Sequence, residues 1–361
     1  MSSGFENITA IMNLIFNLEE IVNKLTLKLL LVVCLTLVSG VWAQQKPVLT
    51  LTATTPLPDL KDGDFDHLTP DVEGNRLFVT AEENSKVLVV DLKTNQVIHT
   101  ITDVKAPHSL LYRGDLKKLF VVDSDLGEVK VYDTDSYKAT GSIKVKEGAD
   151  ASAYDPSTKY LYVVNGGKDA KLPNAYITVI DTTSGKTAGE IKIDSNDVEG
   201  MAIEKSSPRI YVVIRGKNAI EVFDRKKLSL EATWPLGDAG KKPTAIAFNE
   251  DDHRLFVGPR DPGKLVVIDT TSGKVVTSMP AAAMVDDMAW DAKHKRVIFA
   301  GTMFTDVFQQ KDPDHYEQIS HISTAFRAKT GVLVPELNKF YLAVPHHEKQ
   351  SAELRVYSVA D

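Results

Sequence analysis

The sequence almost completely lacks cysteine, since Cys34 is the only one among 361 residues. It lies in an apolar run close to the N-terminus, so the chain that follows this run contains no thiol. Disulfide bonds and thiol catalysis are therefore excluded for that part of the chain. A chain of this length without disulfides is expected to be stabilised by a large hydrophobic core.

Long hydrophobic runs are also scarce, and the one that occurs covers residues 29–43, LLLVVCLTLVSGVWA. Lys24 and Lys28 precede this run, and it ends at Ala43 in a small-residue pattern. A basic start, an apolar stretch and a small-residue end are the three parts of a secretory signal peptide. The sequence therefore predicts a signal peptide over residues 1–43.

Two alternatives to this N-terminal prediction remain open. An uncleaved anchor is one, although the run is shorter than the roughly 20 residues that cross a bilayer. A true start at Met12 is the other, because the segment before the run is long and contains acidic residues. We expect a periplasmic or secreted protein of residues 44–361 with no stable membrane insertion after cleavage.

Positive charge is in the minority, with 42 Lys and Arg against 49 Asp and Glu and a formal net charge of −7. Such a chain is repelled by phosphate backbones and anionic membranes, so nucleic acid is not expected as the main partner. Walker, Rossmann, HExxH and GxSxG patterns are also absent. Neither a nucleotide nor NAD is therefore expected as a cofactor.

What the sequence does contain is a phrase repeated seven times. NRLFV at residues 75–79 returns as KKLFV, KYLYV, PRIYV, HRLFV, KRVIF and NKFYL. The middle residue of each copy serves as an anchor, and the anchors recur about every 43 residues, which fits four short strands per copy. The anchors are Leu77, Leu119, Leu161, Ile210, Leu255, Val297 and Phe340.

A second phrase follows five of these copies and ends in aspartate, as in VLVVD and LVVID. These β-branched runs are typical of strands, and the aspartate opens a turn such as DTTSGK. We expect the repeated aspartates to cap turns rather than to act in catalysis. They are Asp91, Asp133, Asp181, Asp224 and Asp269. The fourth copy departs from the usual DT turn with DRKK, and the sixth has DVFQQ where the aspartate is expected.

An outer strand follows six copies, but the seventh copy ends with ELRVYSV at residues 353–359. Residues 47–57, PVLTLTATTPL, alternate like an outer strand and belong to no copy. Pairing of the two would close a ring and remove an exposed edge. The sequence therefore predicts an all-β, seven-bladed β-propeller with four-stranded antiparallel blades, closed by the N-terminal strand and monomeric.

The phrases LYVVN…ITVIDTTSGK and LFV…LVVIDTTSGKVV resemble the YVTN repeat family, the YncE-like propellers of exported bacterial proteins. The resemblance covers nearly all of residues 44–361 and implies the fold and an exported location. It implies little chemistry, because the relatives are mostly binding or surface proteins. WD40 repeats would end the third strand in Trp-Asp, and quinone-dependent dehydrogenases carry a Trp after the TGK turn. Neither occurs here, so no quinone is expected.

The first strand of each blade lines the central channel of a propeller, and ligands usually bind where these strands begin. Counting back eleven residues from each anchor gives a mostly polar column: Asp66, His108, Asp150, Glu199, Thr244, Asp286 and Lys329. Counting back ten adds His67 and Asp287. Carboxylates that converge on one axis repel each other unless a cation or protons intervene.

This column predicts a possible divalent metal site at the channel mouth. The expected ligands are His67, His108, Asp150, Glu199, Asp286 and Asp287. Mixed imidazole and carboxylate ligands suit Zn, Fe or Mn better than a cage of oxygen ligands alone would.

The loops after the second strands are expected to join the same mouth and to contact a small ligand. The expected contacts from these loops are Asp123, Asn165, Arg215, Arg260 and His346. Asp66 of the polar column and Arg327 of the loop that enters the last blade are expected to join them. Because guanidinium pairs bidentately with carboxylate, the three arginines would bind an anionic group.

The predicted function is that of an exported binding module whose channel mouth binds a metal ion or a small anionic ligand. A metal-dependent hydrolase or isomerase of the lactonase type is the first alternative. A cell-surface scaffold for protein contacts is the second. Fold alone does not decide whether the protein is an enzyme, because unrelated functions share the propeller architecture.

Overall fold

The computed structural model describes residues 47–361. The predicted signal peptide and the alternative start at Met12 lie outside these residues. The described chain forms 28 strands, which are arranged in seven four-stranded antiparallel sheets. Within the same range, no helix combines the length and the hydrophobicity needed to span a bilayer.

The strands of the first half are β1 Leu49–Pro56, β2 Leu68–Asp71, β3 Arg76–Ala81, β4 Lys86–Asp91, β5 Val97–Ile101, β6 Pro107–Arg113, β7 Lys118–Asp123, β8 Glu128–Asp133, β9 Ala139–Lys144, β10 Ser152–Asp155, β11 Tyr160–Gly166, β12 Ala175–Asp181, β13 Lys186–Ile193 and β14 Met201–Ile203. Those of the second half are β15 Arg209–Ile214, β16 Ala219–Asp224, β17 Ser229–Pro235, β18 Lys241–Asn249, β19 Arg254–Asp261, β20 Lys264–Asp269, β21 Lys274–Pro280, β22 Asp287–Asp291, β23 Arg296–Ala300, β24 Phe304–Asp312, β25 His315–Ser323, β26 Thr330–Val334, β27 Lys339–Val344 and β28 Glu353–Val359. Five single-turn 3₁₀ helices lie in connecting loops: Glu82–Asn84, Gly114–Leu116, Arg215–Lys217, Gly237–Ala239 and Pro335–Leu337.

Each sheet is one blade, and the strands of a blade follow each other from the channel outwards. Blades 1 to 6 are β2–β5, β6–β9, β10–β13, β14–β17, β18–β21 and β22–β25. Blade 7 consists of β26, β27 and β28, with β1 as its outer strand. The first strand of every blade contacts the first strand of the next one, and β26 contacts β2. The predicted seven-bladed ring is therefore confirmed.

The ring closes through the predicted pairing of the two ends of the described chain. Leu49 pairs with Val359 and Pro56 pairs with Glu353, with one irregularity after Leu51. The outer strand pair of each of the other six blades carries a similar register shift, for example between Val179 and Ile180. Such bulges increase the local twist of a strand, which suits the twisted outer edge of a blade.

The hydrophobic core is divided into seven clusters, and each cluster fills the space between two neighbouring blades. The middle residues of the repeated phrases supply much of it, since the anchors Leu77, Ile210 and Leu255 are fully buried. Because every blade is apolar on both faces, it buries its surface only when it has a neighbour on each side. The core therefore requires a closed ring.

The repeated aspartates cap turns, as the sequence predicts. Oδ1 of Asp91 accepts a hydrogen bond of 2.7 Å from the backbone N–H of Thr94. Oδ1 of Asp181 accepts one of 2.9 Å from Thr183. The corresponding contacts at the other three turns are those of Asp133 with Ser136, Asp224 with Lys226 and Asp269 with Thr271. All five lie at the end of a third strand, at the face opposite the channel mouth.

Two leucines of β1 test whether this strand belongs to the core. Leu49 is buried in the cluster between blades 6 and 7, whereas Leu51 is half exposed. Leu49→Ala should lower the free energy of unfolding by about 2–5 kcal/mol, because it leaves a cavity in a packed core. Leu51→Ala serves as the matched control and should change it by about 0.5 kcal/mol or less. Chemical denaturation of both variants measures the difference, and equal small effects would contradict the closure by β1.

Candidate functional site

A cavity of about 620 Å³ lies at the mouth of the central channel. All seven positions of the predicted polar column line it: Asp66, His108, Asp150, Glu199, Thr244, Asp286 and Lys329. Five of them lie one or two residues before a first strand, in the loops that join neighbouring blades, whereas His108 and Thr244 lie within β6 and β18. His67 and Asp287 line the same cavity. The structure thus brings together all six residues predicted as metal ligands.

The lining of this cavity is strongly charged and predominantly acidic. Eight carboxylate residues line it: Asp66, Glu82, Asp125, Asp150, Asp169, Glu199, Asp286 and Asp287. Four permanent cations accompany them: Lys168, Arg215, Arg260 and Lys329. Burial raises the pKa of Glu82 to about 7 and of Glu199 to about 8, so both are partly protonated at neutral pH. With the two histidines added, the lining carries only a small net charge.

Asp66, His108 and Asp150 form the tightest cluster of possible metal ligands. One ligand atom from each residue lies within 4.8 Å of the other two. His108 Nδ1 is 2.7 Å from Asp66 Oδ2 and 3.3 Å from Asp150 Oδ1. Asp66 is buried, and the other two side chains are partly buried. The sequence placed Asp66 among the small-ligand contacts, whereas the structure places it with the metal-ligand candidates.

His67 lies beside this cluster and is oriented by Asp287. His67 Nδ1 is 2.9 Å from Asp287 Oδ1, and its Nε2 is 3.6 Å from Asp66 Oδ1. Asp287 is itself oriented, because its other oxygen accepts a 2.9 Å hydrogen bond from the backbone N–H of Gly331. Metal-ligating histidines typically have a carboxylate on one ring nitrogen and leave the second nitrogen free for the metal.

The charges of this acidic cluster shift the pKa values of its members in opposite directions. Burial opposes ionisation of Asp66, yet the imidazolium charges of His67 and His108 hold the pKa of Asp66 well below its usual range. Burial also opposes the charged form of the two histidines. The carboxylates around them nevertheless raise the pKa of His67 and of His108 well above the usual value.

Glu82 is a member of the site that the sequence analysis missed. Its Oε1 is 3.4 Å from His108 Nε2, on the side of the ring away from Asp66. Burial raises the pKa of Glu82 to about 7. The signal was present in the sequence, because Glu82 follows its anchor Leu77 by five residues, as Arg215 and Arg260 follow theirs.

Two of the three arginines predicted to hold an anion, Arg215 and Arg260, are paired with acids that line the cavity. Arg215 pairs with both Glu199 and Asp197, and Lys168 Nζ is 2.7 Å from Asp197 Oδ1. Across the channel, Arg260 pairs with Asp286. Lys329 Nζ lies 2.6 Å from the second oxygen of Asp286. Glu199 and Asp286, two of the predicted metal ligands, are therefore neutralised by cations of the protein.

Asp123 and Asn165 were predicted to contact a small ligand but do not line the cavity. Both side chains are fully buried near the ends of second strands, Asp123 in β7 and Asn165 in β11. Asp123 accepts hydrogen bonds from the backbone N–H of Lys105, at 2.7 Å, and of Ala106. Asn165 Nδ2 donates to Val163 O and to the hydroxyl of Thr178. Each follows its anchor by four residues, whereas the residues that line the cavity follow theirs by five. Because neighbouring residues of an extended chain point in opposite directions, Asp123 and Asn165 point away from the cavity.

Arg327 and His346 also lie outside the cavity lining. Arg327 pairs with Asp62, Asp64 and Glu83, which belong to the loops before and after the inner strands of blade 1. His346 forms an isolated bridge with Asp62. Both therefore help to join blade 7 to blade 1 beside the mouth. The structure places Asp66, Arg215 and Arg260 at the cavity, and ligand binding by any of the seven predicted residues stays a prediction.

Comparison with known proteins gives a partial sequence match and a clear match in fold. The chain is 30% identical to the uncharacterized protein YncE of Salmonella typhi over 109 residues, and 29% identical to YncE of Salmonella typhimurium strain LT2 over the same length. Each match spans 30% of this chain and 30% of the relative, so less than a third of those proteins is covered. No family model matches the chain.

Solved structures with the same fold share little sequence with this chain. The WD40 repeats of RRP9 superpose with a TM-score of 0.73 at 9% identity, covering 86% of this chain and 100% of that one. A chain of a mitotic checkpoint complex gives 0.72 at 14%, covering 90% and 96%. Hydrazine synthase of Kuenenia stuttgartiensis gives 0.68 at 16%, covering 78% and 93%. The seven-bladed ring and the partial similarity to YncE together fit a YncE-like propeller.

The raised pKa of His67 predicts how its contribution to stability changes with pH. Because its pKa is higher in the folded chain than in the unfolded one, the imidazolium stabilises the fold fully below about pH 6.5. This contribution is lost as the pH rises through the raised value. With EDTA present, His67→Gln should therefore lower the Tm more at pH 6 than at pH 9.

Thermal melting of wild type and variant at both pH values measures this difference. His315→Gln is the matched control, because His315 is exposed and exposed ion pairs contribute little. A loss of Tm for His67→Gln that is the same at both pH values would contradict the ion pairs with Asp66 and Asp287.

Proposed function

We propose that the protein is an exported binding module that holds one divalent transition-metal ion at its channel mouth. Asp66, His108 and Asp150 are the proposed ligands. The observation that carries the proposal is that their ligand atoms lie within 4.8 Å of one another in an acidic cavity. One imidazole with two carboxylates is a donor set that suits Zn²⁺ or Mn²⁺.

The distances within the cluster are close to those that a metal requires. Ligand atoms about 2.1 Å from a tetrahedral ion are about 3.4 Å apart. His108 Nδ1 and Asp150 Oδ1 are separated by 3.3 Å. The 2.7 Å between His108 Nδ1 and Asp66 Oδ2 is a hydrogen-bond distance, so metal binding would replace the shared proton and widen this contact slightly.

His67 is the proposed fourth ligand. Its Nδ1 is held by Asp287, which leaves Nε2 free to face Asp66 at 3.6 Å. A carboxylate in this outer position fixes the ring orientation and makes the imidazole a better ligand. Asp287 therefore takes a supporting role in the proposed site, and Glu199 and Asp286 are satisfied by cations instead of by the metal.

The charge balance of the cavity decides the order in which ligands bind. An anion that enters alone meets more carboxyl groups than permanent cations, and Arg215 and Arg260 are already paired with acids. A bound divalent ion would offset part of this negative charge and provide an attractive centre. We therefore propose that a small anionic ligand binds together with the metal rather than in its absence.

Export of the protein is supported by sequence features rather than by the described coordinates. Residues 1–43 have the three parts of a signal peptide, and the repeats resemble those of exported YncE-like propellers. The absence of cysteine after Cys34 is compatible with an exported protein that depends on its core.

A metal-dependent hydrolase or isomerase is the second candidate, and Glu82 is the observation that favours it. Glu82 lies 3.4 Å from His108 Nε2, and burial raises its pKa to about 7. A carboxylate with a pKa near the working pH suits a general base. Turnover of a lactone or a related ester by the metal-loaded protein, lost in Glu82→Gln with metal retained, would distinguish an enzyme from a binding module.

Removal of one proposed ligand should abolish tight metal binding. We expect residues 44–361, stripped with a chelator, to bind one equivalent of Zn²⁺ in isothermal titration calorimetry. Asp150→Asn should weaken this binding at least about tenfold, because even supporting residues of metal sites contribute that much. The same titration with Mn²⁺ and Mg²⁺ tests the preference for a transition metal.

Asp125→Asn is the matched control, because Asp125 lines the same cavity but is exposed and lies outside the cluster. It should bind Zn²⁺ as tightly as the wild type does. Melting curves in EDTA show whether each variant is folded. A wild type that binds no Zn²⁺, or a folded Asp150→Asn that binds it unchanged, would remove the proposed site.

A further inference from the structure

Basic side chains connect neighbouring blades at the face opposite the channel mouth. At six of the seven junctions within residues 47–361, a basic residue of the earlier blade donates a hydrogen bond to a turn of the next blade. The contacts are Arg76 to Thr134 O, Arg113 to the Thr182 hydroxyl, Arg209 to Thr270 O, Arg254 to Pro313 O, Arg296 to Ala360 O and Lys339 to Leu92 O.

The junction between blades 3 and 4 departs from this rule. Tyr160 occupies the position at which most other blades have the basic residue. The bridge runs in the opposite direction, because Arg225 of blade 4 reaches back to Asp155 of blade 3. Arg225 belongs to the DRKK turn and stands where blades 2, 3 and 5 have a threonine. Two departures from the repeat therefore meet at one junction.

A second cavity, of about 420 Å³, opens at this junction. It is lined by the turns that begin at Asp155, Lys205 and Arg225, all of which lie at the end of the blades away from the channel mouth. Its volume falls within the range of roughly 300–1,000 Å³ that is typical of small-molecule sites.

The lining of this second cavity combines aromatic and apolar surface with positive charge. Tyr160, Tyr162, Val179 and Leu228 supply the apolar walls. The charged residues of the lining are Asp155, Lys205, Arg225 and Lys226. The only carboxylate among them is engaged by Arg225, so the remaining charge is positive. This balance is opposite to that of the whole chain, whose formal net charge is −7.

Arg225 also keeps a donor without a partner. Its side chain is 7% exposed, with one guanidinium nitrogen bonded to Asp155 and another to the backbone oxygens of Glu204 and Ser207. Its Nε is buried and has no hydrogen-bond partner among the described residues. With its other two nitrogens engaged, Arg225 holds together the turns that line the cavity.

We propose that this cavity binds a small aromatic carboxylate. The tyrosine rings and aliphatic side chains would contact the flat apolar body of the ligand. Lys205 and Lys226 would attract its carboxylate, because Arg225 is already engaged by Asp155 and by two backbone oxygens. The site is independent of the metal proposed at the channel mouth, because the two cavities share no lining residue.

Naphthalene-2-carboxylate is a suitable probe, and isothermal titration calorimetry with residues 44–361 measures its binding. Ala188 lines the cavity from an exposed position, so Ala188→Trp should fill it and weaken binding at least about tenfold. Lys226→Gln removes one exposed charge and should weaken binding about two- to fivefold. Asp150→Asn, which alters only the channel mouth, should leave binding unchanged.

The uncharged naphthalene-2-methanol tests the preference for an anion and should bind more weakly than the carboxylate. Melting curves identify a variant that has not folded, and Lys226→Gln keeps the test valid if Ala188→Trp fails. Absence of binding at millimolar probe would overturn the proposal. So would binding that folded Ala188→Trp and Lys226→Gln leave unchanged, or binding that Asp150→Asn abolishes.

Discussion

The pairing of β1 with β28 is the interaction on which the rest of the structure depends. Each blade is apolar on both faces, and the seven core clusters lie between blades rather than within them. Burial of apolar surface contributes about 25 cal/mol per Å², so an open ring with two uncovered blade faces would lose a large part of its stability. Closure in turn places the starts of seven inner strands around one axis. The charged cavity at the channel mouth is therefore a consequence of how the ring is stabilised.

Carboxylates that converge at the axis repel each other, and the protein reduces this repulsion in more than one way. Glu199 and Asp286 are paired with arginine and lysine side chains on opposite sides of the channel. Asp66 is stabilised by the charges of His67 and His108. Both pairings reduce repulsion, but only the second uses groups that can release protons and bind a metal instead. The acid–imidazole side is therefore where a divalent ion is expected to bind.

Much of the fold was predictable because local and repeated patterns determine it. The anchors, the turn aspartates and the unpaired strand at residues 47–57 were enough to place seven blades and their closure. For the site at the channel mouth, the sequence predicted which positions precede the first strands, but not which side chains contact each other. Loop lengths vary, so a count that was wrong by one residue selected Asp123 and Asn165, which are buried in strands β7 and β11, and missed Glu82. The partner of each charge, such as that of Arg215, depends on tertiary distances that spacing does not encode. The DRKK departure from the repeat was visible in the sequence, but the cavity that this turn lines was not.

Anomalous X-ray diffraction from crystals of residues 44–361 grown with one equivalent of Zn²⁺ tests the central claim most directly. Data collected on both sides of the zinc absorption edge locate the ion without any assumption about its ligands. The account predicts a single strong peak at the channel mouth, bounded by Asp66, His108 and Asp150, with His67 Nε2 turned towards it. No peak in this cavity, or a peak only at exposed histidines such as His315, would contradict it and leave the acids and histidines with a structural role.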